Sequence, residues 1–183
     1  MTKSLSQLLK EKILILDGAM GTALQERNLT PADFGGEEFD GCNEHLVLTR
    51  PDVIQEVHEA YLEAGADIVE TNTFGGTNFV LGEYGLEDKV EIINKKAVEL
   101  ARKACDNYST PTRPRFVAGS IGPTTKALSV TGGISFDDLT FSFYEQAKVL
   151  TEAGSDYLLI ETALDTLNIK AAYIGILRAF DEL

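Results

Sequence analysis

A chain of 183 residues that is 44% hydrophobic and 25% charged has the composition of one ordinary globular domain. Its formal net charge of −13 repels both a phosphate backbone and an anionic lipid surface, which argues against nucleic acid and membrane as partners. No apolar run approaches the ~20 residues of a membrane span, and the polar opening "MTKSLSQLLKEK" lacks the apolar segment of a secretory signal, so a cytoplasmic chain is expected.

"ILILD" (13–17) is a short aliphatic run ending in turn residues and reads as a buried parallel strand. The turn "GAMG" (18–21) opens onto a helix expected over 20–27. "PDVIQEVHEAYLEAG" (51–65) is a helix, with Val53, Ile54, Val57, Tyr61 and Leu62 at helical spacing, Pro51 at its start and Gly65 at its stop. "ADIVETNTF" (66–74) is a second strand with its exit loop. "LEDKVEIINKKAVELARKACDN" (86–107) is a long helix carrying Val90, Ile93, Ala97, Leu100 and Ala104 on one stripe. "FVAGSIGP" (116–123) is a third strand and turn, and "FDDLTFSFYEQAKVLTEAG" (136–154) a helix closed by glycine. "SDYLLIETALD" (155–165) is a fourth strand and "TLNIKAAYIGILRAFDEL" (166–183) a fourth helix.

Strand and helix thus alternate four times, which requires crossover connections and a parallel α/β sheet. There is an internal echo: "EAGADIVET" (63–71) and "EAGSDYLLIET" (152–162) share the helix stop, the Asp and the terminal Glu-Thr. The second copy is two residues longer, an even offset that preserves which face a strand residue points to. Repeated βα units suit a barrel, of which four units are half; a whole one takes about 250 residues. The alternative is an open four-stranded sheet. A half-barrel exposes two aliphatic strand edges. The chain is therefore expected to be a fragment that self-associates or dissolves poorly, its edges covered by the missing half or by a second copy.

Polar residues gather where the strands stop: Asp17, then Glu70, Thr71 and Asn72, then Ser120, then Glu161 and Thr162. In parallel α/β folds ligands bind at this end of the sheet. A lone Asp17 would read equally well as a turn or cap residue; several strand-end groups in register favour a site. The turn after Asp17 is G-x-x-G, neither the G-x-G-x-x-G of a dinucleotide site nor a P-loop, and Asp17 would repel a pyrophosphate. Its backbone N–H groups suit one carboxylate. A small zwitterion fits best, with Asp or Glu for its ammonium.

Other candidates have plainer readings. Lys126, in the Gly/Ser/Thr-rich loop 119–133, reads as a solvated charge rather than a Schiff-base lysine. His58 reads as a surface or boundary residue of its helix, and His45 lies in a loop without a metal-binding partner nearby. Cys105 reads as a packing residue and Cys42 as a loop thiol, their spacing matching no zinc or redox motif.

"LDGAMGT", "DVIQEVHEAYLEAGADIVETNTF", "RFVAGSIGPTTKALS" and "YLLIETALDTLNIKAA", in this order over nearly the whole chain, resemble the homocysteine S-methyltransferase family. The resemblance is strongest to the N-terminal homocysteine-binding module of cobalamin-dependent methionine synthases. It implies a (β/α)8 TIM barrel, with residues 1–183 covering about the first four βα units, the N-terminal half of a homocysteine-binding domain. It implies methyl transfer to the homocysteine thiolate to make methionine, with zinc ionising the thiol and methylcobalamin as donor; S-methylmethionine and betaine serve other relatives. Carried over position by position, Asp17, Gly18, Ala19 and Met20 contact the substrate, Glu161 grips its amino group, and Thr71 and Asn72 line the same mouth. The family's zinc ligands are three cysteines after the sixth and eighth strands, in segments expected beyond Leu183. None is in this sequence, so no metal ligand or catalytic residue is assigned and the isolated chain is expected to be inactive. Two other readings stand beside this one: a barrel lyase or aldolase using Asp17 and Glu161 as acid and base, and a non-catalytic fragment that only binds an amino acid.

Overall fold

The computed structural model describes residues 3–126, 128 and 132–183. Three parallel strands form one sheet in the order β1 (Ile68–Glu70), β2 (Phe116–Ile121), β3 (Tyr157–Ile160). Four long helices alternate with them. Helix α1 (Pro51–Ala64) precedes β1, α2 (Val90–Tyr108) joins β1 to β2, α3 (Phe136–Glu152) joins β2 to β3, and α4 (Thr166–Glu182) follows β3. The punctuation works as the sequence suggests. Pro51 sits in the first turn of α1, and Gly65 stops that helix at φ +115°. Ser135 Oγ caps α3 by accepting the Asp138 N–H, and the Asp165 side chain caps α4 by accepting the Leu167 N–H.

The first expected strand is much reduced. Residues 13–17 lie beside β1 but join it by a single bridge, Leu16 to Ile68. Asp67 and Ile68 donate their N–H groups to Ile15 O at 2.7 and 3.1 Å, and Asp17 N–H donates to Ile68 O at 3.0 Å. The cause is lateral: β1 is three residues long, and no described strand flanks 13–17 on its other side. Ile13, expected inside, is 87% exposed.

The two faces of the sheet differ. Val69, Val117 and Ile121 point into the main core with Val98, Ala101 and Cys105 of α2, Phe143 and Leu150 of α3, and Ala172 and Ile176 of α4. Ile68, Phe116 and Ala118 point the other way and pack with Leu8 near the N-terminus. Gly175 lets α4 cross α3 closely: a Cβ there would stand 2.8 Å from Thr140 O and Tyr144 N. Both cysteines are buried and free. Cys105 is the packing residue expected, whereas Cys42, expected as a loop thiol, is 1% exposed in the core under α1. His58, expected near the surface, is fully buried, and neither ring nitrogen has a protein partner. Helix α1 is covered by α2, by β1 and by the short helices Met20–Gln25 and Leu46–Thr49, so its buried arc is wider than its apolar stripe. Burial pushes the His58 imidazole down to about 4, which keeps it neutral.

Register is fixed where strands begin. Asp67 donates its N–H to Ile15 O and accepts the Ile15 N–H on Oδ2 at 3.1 Å. Asp156 repeats this one strand pair further on: its N–H donates to Val117 O at 2.8 Å, and its Oδ2 accepts the Val117 N–H at 2.7 Å. These are the two aspartates of the sequence echo. Burial alone would raise the Asp67 carboxyl, but the Ile15 N–H, Lys12 and Arg113 together hold it below the usual range. Asp67 and its neighbour Arg115 each have side chains only 5% exposed. Replacing Asp67 by Ala strips a buried guanidinium of its counter-ion and a backbone N–H of its acceptor. The expected cost is about 3–5 kcal/mol, read as a lower urea midpoint at unchanged m-value. A wild-type midpoint in that variant would show that the aspartate does not set this edge.

Candidate functional site

Because the strands are parallel and in register, their carboxyl ends open together. They frame a cleft of about 450 Å³ lined by Asp17, the turn 18–21, Glu70, Thr71, Asn72, Ser120 and Glu161, with Asn43, Glu44 and Phe74 on its rim. All seven residues expected to meet a substrate lie on this one cleft.

The turn 18–21 is held from outside. Tyr61 of α1 donates its hydroxyl to Ala19 O at 3.2 Å, and a Cβ on Gly18 would lie 3.1 Å from that ring. The helix that follows runs Met20–Gln25, shorter than the 20–27 expected, and no side chain caps it at Ala19. Asp17 turns back on the sheet, both its oxygens 3.1 Å from the Glu70 N–H.

The segment after β1 is locked by buried polar groups. Ser120 N–H donates to Thr71 Oγ1 at 3.0 Å, and Thr73 Oγ1 donates to Ser120 O at 2.7 Å. Each hydroxyl carries one proton, so the 2.6 Å contact between the two threonines has Thr71 donating to Thr73. The Thr71 hydroxyl is thereby committed within the protein. Asn72 Nδ2 likewise donates to Asn43 O at 2.7 Å. Gln146 of α3 donates to Thr73 O at 2.8 Å, and Asn94 of α2 to Gly76 O at 2.7 Å. Glu44 Oε1 accepts the Gly75 N–H at 2.7 Å, and burial holds this carboxyl above the ordinary range.

Glu161 follows β3, its N–H donating to Ile121 O at 3.1 Å. Ser120 Oγ makes a short hydrogen bond to its Oε1, and Thr162 Oγ1 donates to its Oε2 at 3.4 Å. Thr162 sits at φ +52°, a left-handed conformation that a β-branched residue adopts at a cost of about 1–3 kcal/mol. Glu70 lies within hydrogen-bonding reach of Glu161. Burial, the nearby Glu161 and Asp17 push Glu70 up to about 8. Burial, with a smaller repulsion from Glu161, raises Asp17 to about 7 despite the Glu70 N–H. No Lys, Arg or His is among the described residues lining this cleft.

Glu70 and Ser120 stood out in the sequence as strand-end polar groups without an assigned role. The echo was the available signal for Glu70, since it pairs Glu70 with Glu161 on the same face. Glu44 carried none, lying outside every periodic segment. Lys126 is exposed and away from the cleft, although its loop is only partly described, residues 127 and 129–131 lying outside the described set. His45 contacts Phe34 O through Nδ1 at 2.8 Å and packs against Phe39 with the two rings tilted by 58°.

Fold and site together define a parallel α/β protein with an acidic ligand cleft at the carboxyl ends of its strands. A sequence profile of homocysteine S-methyltransferases matches residues 14–180. The chain belongs to the homocysteine S-methyltransferase family. Among solved structures it is similar to the homocysteine methyltransferase MmuM from Escherichia coli in its metallated form, at 30% identity and a TM-score of 0.78 over 97% of this chain. The oxidized form matches equally well, and the apo form at 28% identity with a TM-score of 0.70 over 93% of this chain. The chain spans only 63% of the length of the metallated and oxidized MmuM chains and 57% of the apo one.

The residues present do not fit a zinc site. No group of three His, Cys, Asp or Glu among the described residues is arranged to hold a metal ion. Burial pushes Cys42 up to about 11 and Cys105 up to about 12, keeping both as thiols, and neither lines the cleft. Leu183, beyond which the family's cysteine ligands are expected, caps the end of α4; it is exposed and is not among the residues lining the cleft. No described helix is long and apolar enough to cross a membrane.

The cleft has a cost that depends on pH. With raised values in the folded state, Asp17 and Glu70 hold protons that they release in the unfolded chain at ordinary carboxyl values of about 4. The folded state therefore binds more protons between about pH 4 and the values of about 7 and 8, and both groups lower stability as pH rises through that window. The melting temperature of ligand-free Glu70→Gln should fall less than that of wild type between pH 5 and 8.5. Equal slopes in the two proteins would mean that Glu70 is already ionised at pH 5.

Proposed function

We propose that this chain supplies the amino-acid-binding part of a site that transfers a methyl group to the sulfur of homocysteine, making methionine. The carrying observation is the convergence of Asp17, Glu70 and Glu161 on one cleft with no cationic side chain among its described lining residues. Such a cleft suits an ammonium group. The turn 18–21, which lines the same cleft, suits the carboxylate of the same ligand through its backbone N–H groups. In this reading Glu161 is the principal ammonium ligand, since Ser120 and Thr162 orient both its oxygens. Asp17 adds charge from the first strand end. Gly18, Ala19 and Met20 present the turn, and Thr71 and Asn72 act as the buried frame of the mouth. Homocysteine held at both polar ends leaves its thiol free to react. Its thiolate forms the new carbon–sulfur bond as the methyl group leaves its donor. The resemblance to cobalamin-dependent synthases makes methylcobalamin the donor, and none of the described residues is assigned to it.

The same reading takes residues 1–183 as the first half of a (β/α)8 barrel in a cytoplasmic enzyme, with the zinc-binding cysteines in the half beyond Leu183. The parallel order β1–β2–β3, with 13–17 beside β1, supports it. So do the apolar flanks, Ile13 and Ile15 on one side and Tyr173, Ile174, Leu177 and Phe180 of α4 on the other, all of them exposed. The remaining barrel units or a second copy would cover those flanks. A lyase or aldolase on this cleft would want a lysine to activate a carbonyl, and none is among the described residues lining it.

Glu161→Gln keeps the shape and removes the charge. Losing a charged hydrogen bond of about 1.5–3 kcal/mol should weaken homocysteine binding roughly ten- to hundredfold by calorimetry. Unchanged affinity would remove Glu161 from the ammonium site and with it the orientation proposed for the substrate.

A further inference from the structure

Glu70 has no role assigned from the sequence, yet it shares the cleft with Glu161, and no described residue lining that cleft is cationic. Asp17 approaches from the 13–17 side, with both oxygens on the Glu70 backbone N–H. Glu161 approaches from the exit of β3, its oxygens taken by Ser120 and Thr162 hydroxyls. Glu44 lines the rim, and Tyr157 faces the pair from β3, its phenol pushed up to about 12 by burial and by Glu70 and Asp17. Two carboxyl groups in hydrogen-bonding reach, in a partly desolvated cleft, are not both ionised. Asp17, itself raised by burial, keeps both oxygens on the Glu70 backbone N–H and so stands apart from this pair. Glu161 accepts from two hydroxyls, so both its oxygens already serve as acceptors. Glu70 is therefore the group left to hold the proton, donating it to Glu161.

We propose that Glu70 and Glu161 share one proton in the ligand-free cleft, and that the ammonium group of an incoming amino acid displaces it to solvent. The ammonium brings three N–H donors and a positive charge, taking the place of the single shared O–H. The proton leaves Glu70, both carboxylates become acceptors, and the total charge balances as one proton out for one ammonium in. Glu70 thus makes the site selective for ligands that carry an ammonium group. A neutral or purely anionic analogue cannot displace the proton and meets only acid.

This inference rests on the amino-acid reading of the cleft, and its test separates the two. L-Methionine is the probe, because it has no thiol proton to confuse the count. Calorimetry of the intact protein in buffers of different ionisation enthalpy, from pH 6 to 8, reads protons released per ligand bound. Because Asp17 also carries a proton below about pH 7, the two proteins are compared between pH 7.5 and 8, where wild type should release at least twice as many protons per ligand as Glu70→Gln. The des-amino analogue 4-(methylthio)butanoate should release none. Methionine binding without proton release in wild type overturns the shared proton while leaving the amino-acid site intact. Equal release by Glu70→Gln overturns the assignment to Glu70. Failure of both methionine and homocysteine to bind overturns the amino-acid reading, and this inference falls with it. The wild-type measurement stands alone if the variant does not fold.

Discussion

Asp67 and Asp156 each clasp the strand beside them in two directions, giving an N–H to its carbonyl and taking its N–H on a carboxylate oxygen. A parallel sheet has no hairpin turn to set its register. Here the task falls to these strand-entry clasps. Once Ile15 is tied to Asp67 and Val117 to Asp156, the strand exits are fixed as well. Ile121 then pairs with Ile160, while the Phe116 N–H on Asp67 O carries the register from β1 to β2 and sets Glu70 beside Ala118. A slip of one residue would turn Glu70 or Glu161 into the helical core and Val69 or Ile160 into the cleft. The acidic mouth is thus a consequence of bonds made at the far end of the sheet.

The mouth is costly to hold together. Three carboxylates are drawn toward one another and away from water, and Thr162 is strained beside them. What opposes this is a set of buried neutral hydrogen bonds. The relay from Ser120 through Thr71 and Thr73 back to Ser120 closes on itself, and Asn94 and Gln146 reach from two helices to hold the next turn. A Cβ on Gly76 would meet Asn94 Oδ1 at 2.6 Å, so this packing leaves room for hydrogen alone. Such a network resists the relaxation that would otherwise let the acids swing apart into solvent.

Much of this was legible in the sequence because two periodicities differ. Aliphatic runs ending in turns marked β1, β2 and β3, and 3.6-residue stripes marked α1 to α4. The echo marked both clasping aspartates before their role was visible. Three things were not legible, each for a lateral reason. How far 13–17 pairs depends on the length of its neighbour, not on its own apolar run. The burial of His58 depends on how many elements cover α1, among them α2 and short helices from residues 20–25 and 46–49, which its own apolar stripe does not show. The hydroxyl of Thr71 looked available for a ligand because a sequence shows donors but not their partners. Glu70 is the instructive omission: its echo with Glu161 is a sign of fold, and because both strand ends face one cleft from either side of β2 it is also a sign of electrostatic coupling.

That coupling bears on how labour is divided in the family. Sulfur chemistry needs a thiolate, and thiols with apolar surroundings resist ionisation, as Cys42 and Cys105 show here. Amino-acid recognition needs the opposite, a cluster of acids kept short of full charge until an ammonium arrives. The two demands are hard to meet in one small space, because the field that welcomes an ammonium also discourages a neighbouring thiolate. In the proposed reading, acids at the exits of the first strands have their excess charge neutralised by the ligand itself, so the bound amino acid quenches the field before its sulfur must ionise. On that reading an acidic cleft is compatible with thiolate chemistry, because a cation fills it when the chemistry occurs.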